Sequence, residues 1–121
     1  GANARLPGAE LSWIPAQPGV VAPEELQGIS GEVGPASEVY RLGALLYELL
    51  TGVPPFDAPS TKGIAYAVLR GELVPPSRLA RLSPELDRVL RRALARRPAD
   101  RFEGARELAG ALSEVPEAVV G

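Results

Sequence analysis

The sequence has no cysteine, no histidine and no methionine. Without cysteine and histidine, disulfides, thiolate or imidazole metal sites, and Ser/His or Cys/His catalysis are excluded, so only carboxylates are left as metal ligands. Asp57, Asp87 and Asp100 are far apart and do not form a loop-type calcium motif. We therefore expect no metal and no cofactor. The lack of methionine indicates that the chain derives from a longer sequence.

Long apolar runs are also missing, and the N-terminus has no basic stretch followed by an apolar one. We therefore predict no membrane segment and no signal peptide, and we expect a cytoplasmic protein. The 121 residues are 45% hydrophobic and 23% charged, with a net charge of −2. This is the composition of a globular chain, and its length suits one small domain.

The apolar residues predict a mainly α-helical fold. A brief helix is expected over Pro23–Gln27, and four longer helices over residues 37–51, 61–70, 83–97 and 103–113. Ser37 is the predicted N-cap of the first long helix. Apolar residues lie on all sides of that helix, which is typical of a buried one. We therefore expect it to be the centre of the domain.

Proline and glycine are frequent in residues 1–35, which predicts a partly extended segment before the central helix. The predicted organisation has an N-terminal extended segment over residues 1–21, a helical domain over residues 22–114 and a tail over residues 115–121. No internal repeat is present.

Three stretches carry family-like patterns, at residues 18–26, 34–56 and 94–102. The first contains Ala22-Pro23-Glu24, and the third ends in Asp100-Arg101-Phe102. In this order they resemble the A-P-E end of the activation segment, the F helix, and the turn between the last two helices in the C-terminal lobe of bacterial serine/threonine protein kinases. The resemblance implies a kinase C-lobe-like helical fold, with residues 1–21 as a remnant of the activation segment.

The resemblance also implies a structural ion pair. In this family the A-P-E glutamate pairs with the arginine of the third stretch, which nominates Glu24 and Arg101. Opposite charges beside buried helices would tether the activation-segment helix to the base of the lobe. The alternative is that both side chains are solvated.

The sequence departs from the family where catalysis is concerned. Such kinases need a Gly-rich loop, a strand lysine, a catalytic-loop aspartate with its asparagine, and the D-F-G aspartate, and none of these is present. Glu38 stands where the family has the aspartate that holds the catalytic loop, and Gln17 stands where it has threonine. We therefore predict no catalytic, cofactor-binding or metal residues, and no ATP binding by this chain alone.

The preferred interpretation is a noncatalytic kinase-like domain, a pseudokinase remnant, that acts as a protein-interaction or scaffolding module. A protein partner or a homodimer is expected. The predicted interaction surface comprises Trp13, Ile14, Lys62, Tyr66 and Arg70. The alternative is an excised C-lobe fragment of an active serine/threonine kinase whose ATP-binding lobe and catalytic loop lie upstream.

Two surfaces need a separate interpretation. Five arginines lie opposite the apolar stripe of the predicted 83–97 helix: Arg88, Arg91, Arg92, Arg96 and Arg97. The net charge is negative and no aromatic residues are interleaved, which favours a solvated face, so no nucleic-acid partner is predicted. The central helix also needs a cover for residues such as Leu49. We expect Trp13 and its neighbours to fold back over it, with homodimerisation as the alternative.

Overall fold

The computed structural model describes residues 21–28 and 30–119. These residues form five α-helices, namely α1 Pro23–Gln27, α2 Pro35–Thr51, α3 Thr61–Arg70, α4 Pro84–Ala93 and α5 Ala105–Leu112. Short 3-10 turns occur at Ser30–Glu32, Pro76–Arg78, Pro98–Asp100 and Pro116–Val119. The described residues contain no strand, and none of their helices is long and apolar enough to cross a bilayer. The predicted mainly α fold is confirmed.

The central helix begins earlier than predicted. Ser37 is not its N-cap, because α2 starts at Pro35 after the extended residue Gly34. A proline at the first helical position has its φ already set for the helix, and its missing N–H is not needed there. Ser37 is instead the third helical residue, and its Oγ accepts a hydrogen bond from the backbone N–H of Gly34 at 3.2 Å. The helix ends at Gly52, whose φ of 84° is one that glycine adopts readily.

The last two helices are shorter than the apolar pattern indicates. Ser83, the predicted start of this helix, caps α4 by accepting a hydrogen bond from the N–H of Leu86 at 3.0 Å. The helix ends at Ala93 rather than at the predicted Arg97. The backbone leaves the helix before Pro98, and residues preceding proline disfavour the helical conformation. The carbonyls of Ala95 and Arg96 are thereby free to bond elsewhere. α5 begins at Ala105, two residues after the predicted start.

Three apolar clusters surround α2. The first two clusters join α2 to its neighbours, and the third packs α4 against the C-terminal residues. The buried members of the first cluster include Leu26, Tyr40, Tyr47, Phe56 and Val68. Those of the second are Val39, Ala93, Phe102 and Leu108, and those of the third are Leu86, Leu90 and Val115. Helices α2 and α4 approach closely at Gly43, where an added Cβ would lie 2.9 Å from Cβ of Ala93. The core therefore sits between α2 and the helices that precede and follow it in the sequence.

The C-terminal residues lie against the domain. Val115, assigned from the sequence to the tail, is buried with Leu86 and Leu90. The Glu117 carboxylate accepts hydrogen bonds from the Ser83 backbone N–H at 2.7 Å and from its Oγ at 2.8 Å. These two hydrogen bonds lower the pKa of Glu117. The chain from residue 115 to 119 thus closes over the start of α4.

Candidate functional site

A buried ion pair joins α1 to the segment between α4 and α5. The Glu24 residue is 1% exposed and Arg101 is 2% exposed. Arg101 Nη1 donates to Glu24 Oε2 at 2.7 Å, and Nη2 donates to Oε1 at 2.8 Å. The pair is bidentate, which is the strongest geometry available to arginine and carboxylate. We refer to Glu24, Arg101 and their partner Ser37 as the clamp.

Every N–H of the Arg101 guanidinium has an acceptor. Besides Glu24, it donates to the backbone carbonyls of Ala95 at 2.7 Å, Ala36 at 3.0 Å and Arg96 at 3.0 Å. A guanidinium has five donors, and all five are used. The carbonyls of Ala95 and Arg96 reach it because α4 has already ended. A buried charge with complete hydrogen bonding escapes the penalty of an unpaired one.

The Glu24 carboxylate is held in its charged form. Burial alone would raise the pKa of Glu24. Hydrogen bonds from Arg101 and Ser37 outweigh the effect of burial and lower this pKa below its ordinary value. The Ser37 Oγ donates to Glu24 Oε2 at 2.5 Å. The Arg101 charge acts in the same direction. Sequence reasoning nominated the pair but missed Ser37, because the local sequence around a helix start carries no sign of a partner 13 residues away.

Tyr40 lies beneath the clamp. The Arg101 guanidinium carbon is 5.0 Å from the centroid of the Tyr40 ring, a cation–π distance. Burial raises the pKa of Tyr40 above its ordinary value. Its hydroxyl is buried and has no hydrogen-bond partner among the described residues. Tyr40 therefore supports Arg101 with its ring rather than with its hydroxyl.

A second, exposed ion pair reinforces the same junction. Arg41 Nη1 lies 2.5 Å from Glu25 Oε2, and the other Glu25 oxygen accepts from the backbone N–H of Ala22 at 2.9 Å. Glu25 thus stabilises the start of α1 and also links α1 to α2. Because α1 is only five residues long, these side-chain links rather than helix propensity fix its position.

The arrangement links α1 and α2 to the segment between α4 and α5. Among residues 21–28 and 30–119, no group of three or more acidic side chains could hold a metal ion. Glu38, at the position where the kinase resemblance implies an aspartate, is exposed on the first turn of α2. The clamp carboxylate is fully occupied by Arg101 and Ser37. What this geometry does is fix the Ala22-Pro23-Glu24 segment to the base of the domain.

Three of the predicted interaction residues share one exposed face of α3. Lys62, Tyr66 and Arg70 are spaced by four residues, which places them on the same side of the helix. All three are exposed, and Tyr66 is 69% exposed. Ala65 and Val68 anchor the opposite side of α3 in the core. The other two predicted members, Trp13 and Ile14, lie outside the described residues.

One side of α2 is apolar and exposed in the described part of the chain. Leu45, Leu49 and Leu50 are 50%, 79% and 38% exposed. The expectation that all sides of this helix are covered is therefore not met by residues 21–28 and 30–119. The predicted cover, Trp13 and its neighbours, lies outside the described residues.

Sequence comparison relates the chain to known protein kinases. Serine/threonine-protein kinase PknB from Mycolicibacterium smegmatis is 44% identical over 98 residues, which are 80% of this chain and 15% of that protein. PknB from Mycobacterium tuberculosis is 43% identical over 96 residues, 78% of this chain and 15% of its own length. Serine/threonine-protein kinase pkn3 from Myxococcus xanthus is 39% identical over 87 residues, 69% of this chain and 16% of its own. The chain is therefore homologous to bacterial serine/threonine protein kinases over 69 to 80% of its own length. No family model matches it.

The similarity to these kinases gives the clamp a context. The resemblance implies that the A-P-E glutamate pairs with a distant arginine, and the structure places Glu24 and Arg101 in contact across 77 positions of sequence. The chain spans 15 to 16% of the length of these kinase relatives. The residues of this family that handle ATP and metal are not in this sequence.

Proposed function

We propose that this chain is a noncatalytic, kinase-derived module that binds a protein partner through the exposed face of α3. The observation that carries the proposal is the exposed ring of Tyr66 between two exposed cations, Lys62 and Arg70. Tyrosine and arginine are over-represented among the residues that dominate the energy of protein interfaces. Because Ala65 and Val68 fix the other side of α3, the face is presented with little ordering cost.

The noncatalytic part of the proposal rests on the missing residues. Phosphoryl transfer in this family depends on positioning by a phosphate-covering loop, a lysine, magnesium ligands and a catalytic base, and the sequence supplies none of them. The isolated chain is expected to give no magnesium-dependent phosphate transfer from radiolabelled ATP to a generic basic protein. Transfer above a no-protein control would contradict this part of the proposal.

A photo-crosslinking experiment tests the surface. Tyr66 is replaced by a photo-reactive phenylalanine analogue in the chain expressed in bacterial cells, and adducts are identified by mass spectrometry. We expect a discrete adduct that disappears when Lys62 and Arg70 are both replaced by glutamate, because the two cations flank the ring. An adduct of twice the chain mass would identify the partner as a second copy.

A matched control carries the same photo-reactive residue at Arg106, an exposed position on α5. A specific surface gives an adduct from position 66 and none of the same mass from position 106. Identical adducts from both positions, or an adduct that survives the Lys62→Glu and Arg70→Glu changes, would show that α3 is not the docking face.

The alternative function is that of the C-lobe segment of an active serine/threonine kinase. The exposed apolar side of α2 at Leu45, Leu49 and Leu50 favours it, because the kinase resemblance implies that upstream parts of the lobe cover that side. The small share of its relatives that the chain spans agrees with it. A longer natural protein in which the Gly-rich loop, lysine, catalytic aspartate and D-F-G motif precede these residues, and which transfers phosphate, would establish the alternative.

A further inference from the structure

Two neighbouring grooves lie along the exposed side of α4 and share Arg91. The first has a volume of about 410 Å³, and Phe56, Leu73, Leu94 and Arg96 are among the residues that line it. The second has a volume of about 360 Å³ and includes Leu82 and Arg88. Together they form a continuous surface with arginines at Arg88, Arg91 and Arg96. This surface is separate from the Lys62, Tyr66 and Arg70 face of α3.

The charge of this surface is positive although the chain is negative. Residues 76–100 carry seven arginines and three acidic residues, a net charge of +4, whereas the whole chain has a net charge of −2. The positive charge is therefore concentrated around α4. Within a Debye length such a concentration attracts anionic partners.

The acidic residues along the grooves do not cancel this charge. Asp87 is buried, and its carboxylate accepts from the Ser77 N–H at 2.9 Å and lies 3.5 Å from Arg91. Arg96 donates to the carbonyls of Val68 and Gly71, which are neutral. Arg88 takes part in no ion pair within the described residues. Arg88 and Arg96 thus retain charge that a partner can meet, and Glu72 is the one exposed acid among the described residues that line the two grooves.

The base of the first groove is apolar. Phe56, Val68 and Leu94 are buried beneath it, and Leu73 is partly buried. An apolar base with arginines at the edge suits a ligand that combines a large apolar side chain with flanking negative charges. Nucleic acid is disfavoured, because the rings that line this groove, Tyr40 and Phe56, are buried and cannot stack on bases.

We propose that these two grooves bind an acidic, extended peptide segment of a partner protein. One large apolar residue of the segment occupies the first groove, and its neighbouring carboxylates pair with Arg88 and Arg96. Charge complementarity selects the occupant and steers its approach, while the apolar contact fixes its register. The proposal for this site does not depend on the proposal for the α3 face, so experiments can disprove one without disproving the other.

The test measures binding of a short fluorescent peptide, glutamate and serine around one phenylalanine, to the whole chain by anisotropy. Saturable binding that weakens as salt is raised is expected. Arg88→Glu should weaken binding about tenfold, because it replaces an attraction by a repulsion. Arg106→Glu makes the same charge change at an exposed position on α5 and should alter affinity by less than about twofold. Thermal melts establish that both variants are folded.

Four outcomes would overturn the proposal. Equal weakening by Arg88→Glu and Arg106→Glu would reduce the effect to net charge. A peptide with serine in place of the phenylalanine that binds equally well would remove the apolar anchor. Tighter binding of a single-stranded oligonucleotide of matched charge would assign the surface to nucleic acid. Absence of any saturable peptide binding at low salt would overturn it directly.

Discussion

Both the start and the end of α2 carry apolar residues, but these residues differ in what covers them. From the start of the helix to its middle, Val39, Tyr40 and Ala44 have 1% exposure or less, whereas near its end Leu49 is 79% exposed. Val39 is buried against Phe102 and Leu108, which lie more than 60 positions later in the sequence. Apolar pattern therefore specifies the helix, while burial of a given side is decided by partners that are distant in sequence.

The largest effect on stability is expected from substituting the buried Arg101. Arg101→Ala removes five hydrogen bonds and leaves the buried Glu24 carboxylate without a counter-charge. Stranding a buried charge costs about 3 to 5 kcal/mol, so the variant should be largely unfolded or melt far below the parent. Arg97→Ala, an exposed arginine of the same segment, should change stability by less than about 0.5 kcal/mol. Equal melts for the two variants would mean that the clamp does not support the fold.

Acid should narrow the gap between parent and Arg101→Ala. The pKa of Glu24 is lowered in the folded chain, so the clamp contributes stability above the ordinary glutamate pKa of about 4.3 and loses it as pH falls through the lowered value. In the variant the arginine that lowers this pKa is gone. The gap between the two melting temperatures should therefore narrow from neutral pH to about pH 3. A difference in melting temperature that stays constant over this pH range would show that the Glu24 charge does not cause it.

Truncation of one side chain in each half of α2 tests the comparison directly. Val39→Ala opens a cavity among Ala93, Phe102 and Leu108 and should cost about 2 kcal/mol. Leu49→Ala alters an exposed side chain and should cost less than about 0.5 kcal/mol. Chemical denaturation of the whole chain measures both. A cost for Leu49→Ala as large as that for Val39→Ala would show that the exposed side of α2 is covered, and the difference between the halves would disappear.

Two helical glycines sharpen the same contrast between covered and open positions. Alanine at Gly43 would place its Cβ 2.9 Å from Cβ of Ala93, whereas alanine at Gly110 on α5 meets nothing within 4 Å. Alanine favours a helix by about 1 kcal/mol over glycine. Gly110→Ala should therefore stabilise by about 0.5 to 1 kcal/mol, while crowding should make Gly43→Ala destabilising by about 1 kcal/mol or more. Stabilisation by Gly43→Ala would show that α2 and α4 are less closely packed than described.

Much of the helical architecture could be predicted from local sequence. Pro23, Ser83 and Gly52 mark helix ends through their own conformational preferences, and α1 and α3 have the predicted bounds. The role of Ser37 as an N-cap was wrong, and its actual partner, Glu24, is distant in sequence. The end of α4 was wrong because apolar periodicity continues to Leu94 while the backbone turns towards Arg101. The Glu24 and Arg101 contact was nominated through the family resemblance alone, since no local pattern joins residues 77 positions apart.

The smallest effects are expected from removing single hydroxyls at the covered side of α2. Tyr40 and Tyr47 are both buried, but the Tyr47 hydroxyl donates to the carbonyl of Val74 at 2.8 Å, whereas the Tyr40 hydroxyl has no partner among the described residues. Tyr47→Phe should cost about 1 kcal/mol, because a hydrogen bond is lost and its acceptor is stranded.

Tyr40→Phe should instead leave stability unchanged or raise it by up to about 1 kcal/mol, since it removes an unsatisfied polar group and keeps the ring beneath Arg101. The alkaline side gives an independent measurement. The pKa of Tyr40 is raised in the folded chain, so its contribution to stability is present below the unfolded pKa of about 10 and falls as pH rises above it. Tyr40→Phe should therefore reduce the loss of stability at alkaline pH. A melting temperature of Tyr40→Phe below that of the parent at neutral pH would show that the hydroxyl has a partner and that this side of α2 is covered differently.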